Sequence, residues 1–207
     1  MEDGRRDSDG VVGLGGHSDV PLDETKKAHI QKPGALKIYD GALSQDFSDD
    51  LIEIFNKNEA SVVTEENENY KYQEYNYTLN HKDEEIHERL MAHIGELYKH
   101  YLKDLNLGNM IKVSGFEELK IKKFEEKDGF CNLYLDTIDH ASAIRAVSFV
   151  FFLNENEGNI DFPVQKIGVE PVKGRVIIHP SGWEYPKTHH KSNFHDKYIL
   201  ETFLHLA

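Results

Sequence analysis

Residues 146–153, Ala-Val-Ser-Phe-Val-Phe-Phe-Leu, are apolar except for one serine, which is the pattern of a strand covered on both faces. Shorter stretches follow at Ile167-Gly168-Val169, Arg175-Val176-Ile177-Ile178 and Tyr198-Ile199-Leu200-Glu201-Thr202-Phe203, separated by glycine and proline punctuation. Upstream, Leu119, Ile121 and Phe124 predict another strand, and residues 35–40 alternate apolar with polar as a short strand does. Between these lie two helical patterns. Phe47, Leu51, Ile54 and Phe55 recur at helical spacing, with Asp49 and Asp50 near the start, where the helix dipole favours them. The clearest helix spans 82–104, with Ile86, Leu90, Ile94, Leu97, Tyr101 and Leu102 in one stripe. His93 and His100 share a face of it and read as solvent-exposed. Tyr70, Tyr72, Tyr75 and Tyr77 fall in a β-prone stretch and read as half-buried strand residues. Helices first and many short strands afterwards predict a mainly β domain with N-terminal helices, an antiparallel jelly roll with the helices on one sheet.

Residues 1–34 follow no such period. They carry charges and glycines with few aliphatics, and are expected to form a flexible polar arm ahead of a domain spanning 35–207. Val11, Val12 and Leu14, set between glycines, are the arm's compact apolar anchor, and a protein partner is expected there. The formal net charge is −13, which repels phosphate backbones and counts against nucleic-acid binding. No apolar run reaches membrane-spanning length, and no charged-then-apolar leader opens the sequence. Cys131 is the single cysteine, so no internal disulfide can form. Together these predict a soluble protein of a reducing cytoplasm.

Candidate chemistry gathers in the second half. Residues 129–136 read Gly-Phe-Cys-Asn-Leu-Tyr-Leu-Asp, and Asp196-Lys197-Tyr198-Ile199-Leu200 follows some sixty residues later. Between them lie Asn154-Glu155-Asn156-Glu157-Gly158, Asp161-Phe162-Pro163 and Pro171-Val172-Lys173-Gly174-Arg175. Over roughly residues 35–204 this order resembles the Fe(II)/2-oxoglutarate oxygenases of the prolyl 4-hydroxylase type, especially the small members carried by tailed phages. The resemblance implies a double-stranded β-helix. It also implies iron held by His-x-Asp and a distal His, with a lysine binding the distal carboxylate of 2-oxoglutarate. On this chain Tyr134-Leu135-Asp136 keeps the spacing and the carboxylate but puts a phenol where the first imidazole stands. Counting between Trp183 and Lys197 puts Lys187 in step with the distal His, and Tyr185 fills a nearby position that is often His.

A facial iron site needs two imidazoles and one carboxylate. A phenol with a pKa near 10 is a poor Fe(II) ligand, and a protonated lysine is none. A two-residue slip would bring His189 into place as a substitute ligand, with His190 beside it. Lys197 matches the residue that the resemblance assigns to the cosubstrate carboxylate. Asp139, His140 and Arg145 read as loop-structuring residues. Cys131, beside Asn132, reads as a strand residue and not a nucleophile. The expected function is therefore a degenerate oxygenase-like domain, binding or structural and without cofactor, in a host cytoplasm or a virion if phage-encoded. The alternative is an active Fe(II)/2-oxoglutarate-dependent hydroxylase of a peptide side chain with atypical ligands.

Overall fold

The computed structural model describes residues 34–80 and 83–207. The arm predicted over 1–34, with its contact at Val11, Val12 and Leu14, lies outside them but for Gly34.

The described residues form twelve strands and three α-helices. Strand β1 (Lys37–Tyr39) precedes helix α1 (Gln45–Lys57), and β2 (Val63–Glu66) and β3 (Tyr70–Asn76) follow as a hairpin. A single turn, α2 (Tyr77–Asn80), leads to the long helix α3 (Glu84–Asp104). The remainder is β4 (Val113–Phe116), β5 (Lys120–Phe124), β6 (Phe130–Tyr134), β7 (Arg145–Phe152), β8 (Ile160–Phe162), β9 (Ile167–Val169), β10 (Val176–Pro180), β11 (Lys187–His189) and β12 (Lys197–Leu206). Every strand pair is antiparallel.

The order β1-β10-β7-β12-β5-β3 makes one sheet, and β6-β11-β8-β9 makes the facing one. Strand β3 joins them: Gln73–Asn76 pairs with β5, while Tyr70 and Lys71 pair with β6. The result is a jelly roll. Alternation along the central strands builds two cores from one sheet. Val147, Phe149, Phe151 and Leu153 face α1 and α3 together with Val176, Ile178, Leu200 and Leu204. Val150, Phe152, Ile177 and Ile199 face the barrel interior with Phe124, Ile160 and Phe162. That is why residues 146–153 carry no polar face: both sides are covered.

Ser44 caps α1, its Oγ accepting from the Phe47 amide at 3.2 Å, so the helix starts before Asp49 and Asp50, and Asp46 is the acidic residue of its first turn. Asp83 caps α3 in the same way, accepting from Ile86 at 3.1 Å. One expectation on α3 is corrected. His93 is buried, because the apolar stripe is wider than six residues and the ring closes onto the Ala42 carbonyl on the neighbouring loop. Burial holds its imidazole below the usual value. Strands β2 and β4 have no counterpart in the sequence reading. Val63-Thr-Glu-Glu and Val113-Ser-Gly-Phe are short, and each hangs on one neighbour at the sheet margin. No helix among the described residues is long and apolar enough to cross a membrane.

Candidate functional site

Strand β6 carries a bulge. Its cross-strand partners on β11 are Tyr134 for Lys187 and Cys131 for His189, so two residues on β6, Asn132 and Leu133, oppose one on β11, Thr188. Asn132 and Leu133 are thrown outward, and Leu133 is 61% exposed. Cys131 and Tyr134 both face inward, and Asp136, on the same parity as Tyr134, is buried. The backbone of Asp136 is clamped as well. Arg145 donates through Nη1 to its carbonyl at 2.7 Å and forks through Nε and Nη2 onto the Glu117 carboxylate. His205 meets the same carboxylate at 3.1 Å, and the guanidinium lies over the Phe203 ring. The loop beyond is pinned by Ser142, whose amide and Oγ donate to Asp139 Oδ1 at 2.8 and 2.6 Å, while His140 is exposed.

Lys187 ends in this space with no solvent exposure. Its Nζ donates to Asp136 Oδ2 at 2.9 Å and lies 2.8 Å from Oδ1. Ser148 Oγ and Glu201 Oε1 are each 3.3 Å from it, and His179 Nε2 is 3.5 Å away. Glu201 also takes Lys122 at 2.5 Å, and Lys122 lies over the Tyr72 ring. Two ammonium and two carboxylate groups therefore balance inside the barrel. Burial alone would raise the Glu201 carboxyl, but Lys122 and Lys187 outweigh it and hold the group well below the carboxylate range. Burial, reinforced by Lys187, pushes His179 down to about 4. Its Nδ1 donates to the Pro180 carbonyl at 2.7 Å, which leaves the Nε2 lone pair aimed at Lys187.

A second group lies deeper. Tyr134 OH and His189 Nε2 are 2.9 Å apart, and the His189 ring stacks on Phe124 with centroids 4.9 Å apart. Burial raises the Tyr134 phenol well above its usual value and drives His189 well below its own. Burial also raises the Cys131 thiol to about 11, which removes it as a nucleophile. Lys197 is fully buried, donating to the Gly158 carbonyl at 2.8 Å and the His190 carbonyl at 3.0 Å over the face of Phe124. A Cβ on Gly158 would sit 2.6 Å from that His190 oxygen, so the close approach requires glycine.

Burial brings the Lys197 ammonium down to about 7. Between that value and an ordinary lysine's, about 10.4, the unfolded chain binds the proton more tightly than the folded one. Stability then rises with pH across this window, and the full penalty is present below it. Denaturation of wild type and Lys197→Met at about pH 6 and pH 9 is expected to show the difference moving in favour of wild type at the higher pH. A constant difference would mean that the ammonium is as comfortable folded as unfolded.

The residues do not fit an Fe(II) centre. Beside Asp136 stand an ammonium and a protonated phenol, and His189 spends its Nε2 on that phenol. Among the described residues, no group of three His, Cys, Asp or Glu side chains is arranged to hold a metal ion. An open pocket lined by Glu155, Glu157, Glu170 and His195 belongs to the β7–β8, β9–β10 and β11–β12 connections. Asp136, in the β6–β7 connection, and Lys187, at the start of β11, lie at the other end of the barrel.

No protein-family model matches the sequence, and no curated protein does. Solved structures do. A Pseudomonas putida prolyl-4-hydroxylase superposes with a TM-score of 0.69 at 19% identity, covering 84% of this chain and 93% of its own. The viral collagen prolyl hydroxylase of Paramecium Bursaria Chlorella virus-1, in a 2OG complex, gives 0.62 at 16%, with 84% and 97% covered. A Trichoplax adhaerens prolyl hydroxylase, bound to a hypoxia inducible factor peptide fragment, gives 0.69 at 12%, with 84% of each chain covered.

The fold is that of the prolyl 4-hydroxylases.

On this prolyl 4-hydroxylase fold, Tyr134, Asp136, Lys187 and His189 converge, while Lys197 lies deeper and His190 is outside, paired with Asp161 at 2.8 Å. The sequence reading missed Ser148, His179, Glu201 and Lys122. The signal was available for two of them. Ser148 and Glu201 are the polar members of otherwise apolar strand runs, and buried polar residues of that kind need a partner.

Proposed function

We propose that this chain is a prolyl-hydroxylase-fold domain that has given up catalysis and serves as a binding or structural module. The observation that carries this reading is the Lys187 ammonium, wholly buried and 2.8–2.9 Å from both carboxylate oxygens of Asp136. A cation supplied by the chain neutralises the one carboxylate that the resemblance would give to iron. Expelling it would leave a buried charge unpaired, at a cost of about 3–5 kcal/mol. The alternative, a hydroxylase using His189, asks that ring to leave both its stack on Phe124 and its bond to Tyr134. With net charge −13, a protein is the favoured partner over nucleic acid, and residues 1–34 are the proposed point of contact.

The test is anaerobic reconstitution with Fe(II), followed by metal analysis and an assay for succinate release from 2-oxoglutarate. No stoichiometric iron and no succinate above a protein-free blank are expected. One bound iron with turnover would overturn the reading and favour the hydroxylase.

A further inference from the structure

The Lys187–Asp136 contact has the parts of a condensation reaction. An amine on β11 and a carboxyl group just beyond β6 are held together out of water, with a second carboxylate, Glu201, touching the amine. We propose that Lys187 and Asp136 condense to an intramolecular isopeptide bond, with Glu201 as the proton-transfer group.

Several features support this. Lys187 Nζ lies within 2.9 Å of both Asp136 oxygens, yet Oδ1 has no hydrogen-bond geometry to any donor. The nitrogen thus sits close to the carboxyl group as a whole. Both backbones are held in place. Asp136 is clamped through its carbonyl by Arg145, and Lys187 lies in strand β11, paired on both sides of that strand's short ladder with β6 and β8. Confinement of this kind converts a bimolecular step into an intramolecular one, with effective molarities of about 10⁵–10⁸ M. Aromatic rings wall the contact off from water, with the Tyr134 and Phe203 rings 5.3 and 5.9 Å from Nζ.

The step balances without an oxidant. The amine nitrogen of Lys187 attacks Cγ of the protonated Asp136 carboxyl. An N–C bond forms, one C–O bond breaks, and the departing hydroxyl takes a second proton and leaves as water. Of the three ammonium hydrogens, one stays on the amide nitrogen and two leave in the water. Glu201 Oε1, 3.3 Å from Nζ, takes a proton from the attacking amine and returns it to the leaving oxygen. His179 Nε2, 3.5 Å from Nζ with its lone pair inward, offers a second acceptor. The charges also close. Lys187 and Asp136 lose theirs together, and Glu201 keeps Lys122 at 2.5 Å.

The bond would tie the end of β6 to the start of β11 across fifty-one residues of sequence. It rests on the contact that carries the proposed function, and in either form, ion pair or amide, Lys187 denies Asp136 to iron. A chain without turnover can still show its full sequence mass, so this proposal and the proposed function fail separately. The experiment is intact-mass measurement of the full chain under denaturing conditions, with peptide mapping after digestion. Wild type is expected to be lighter than its sequence by one water, with a cross-linked peptide pair joined at Lys187 and Asp136. Lys187→Arg and Glu201→Gln are expected at full sequence mass. A wild-type mass equal to the sequence would overturn the proposal and leave the contact an ion pair. So would a water loss that persists in Lys187→Arg. A cross-link that persists in Glu201→Gln would remove Glu201 from its role. If that variant does not fold, the wild-type mass and peptide map alone decide whether the bond exists.

Discussion

Lys187→Ala is expected to lower stability by about 3–5 kcal/mol. The reason is what it leaves behind. Asp136 is 4% exposed, and without Lys187 its carboxylate keeps no ammonium in contact. Glu201 still has Lys122, so the damage concentrates on one group. Removing both charges should recover much of it. Lys187→Met with Asp136→Leu replaces the pair by apolar side chains, and such replacements are often near neutral. Urea denaturation of the two singles and the double gives the coupling directly. A loss below about 1 kcal/mol in Lys187→Ala would place the pair among surface salt bridges and contradict its burial.

The second large effect is a gain. Tyr134→His combined with Lys187→His is expected to create an Fe(II) site. Positions 134 and 187 face each other across β6 and β11, and Asp136 lies on the inner face two residues on. The two substitutions exchange a phenol and an ammonium for two imidazoles, completing the set that Fe(II) favours. Anaerobic titration should give one tightly bound iron in the double variant and little in either single. A folded double variant that stays empty would mean that positions 134, 136 and 187 cannot converge on one ion, or that His179 and Glu201 crowd the space they share.

Much of the fold could be read from patterns with strong local causes. The run 146–153 and the stripe from Ile86 to Leu102 each announce their element, because burial on two faces or on one leaves different periodicities. The margins were harder. Strands β2 and β4 take their shape from a single neighbour, and that pairing is nonlocal. His93 misled for a related reason: whether a histidine beside an apolar stripe meets water depends on the Ala42 loop, fifty-one residues away. The site divides along the same line. Tyr134, Asp136 and Lys187 stand out by spacing against a known motif order. Glu201, His179 and Ser148 come from three further strands, and only sheet order brings them to one ammonium.

The bulge at Asn132 and Leu133 bears on how this protein can change in length. Along most strands, losing one residue turns every later side chain to the opposite face. Here the count is already two against one. Loss of Leu133 would restore even pairing, keep Cys131, Tyr134 and Asp136 on the inner face, and remove an apolar side chain that is 61% exposed. The barrel thus holds one spare residue three places before its buried carboxylate. Deletion of Leu133 can therefore shorten the chain without turning what lies inside to the opposite face.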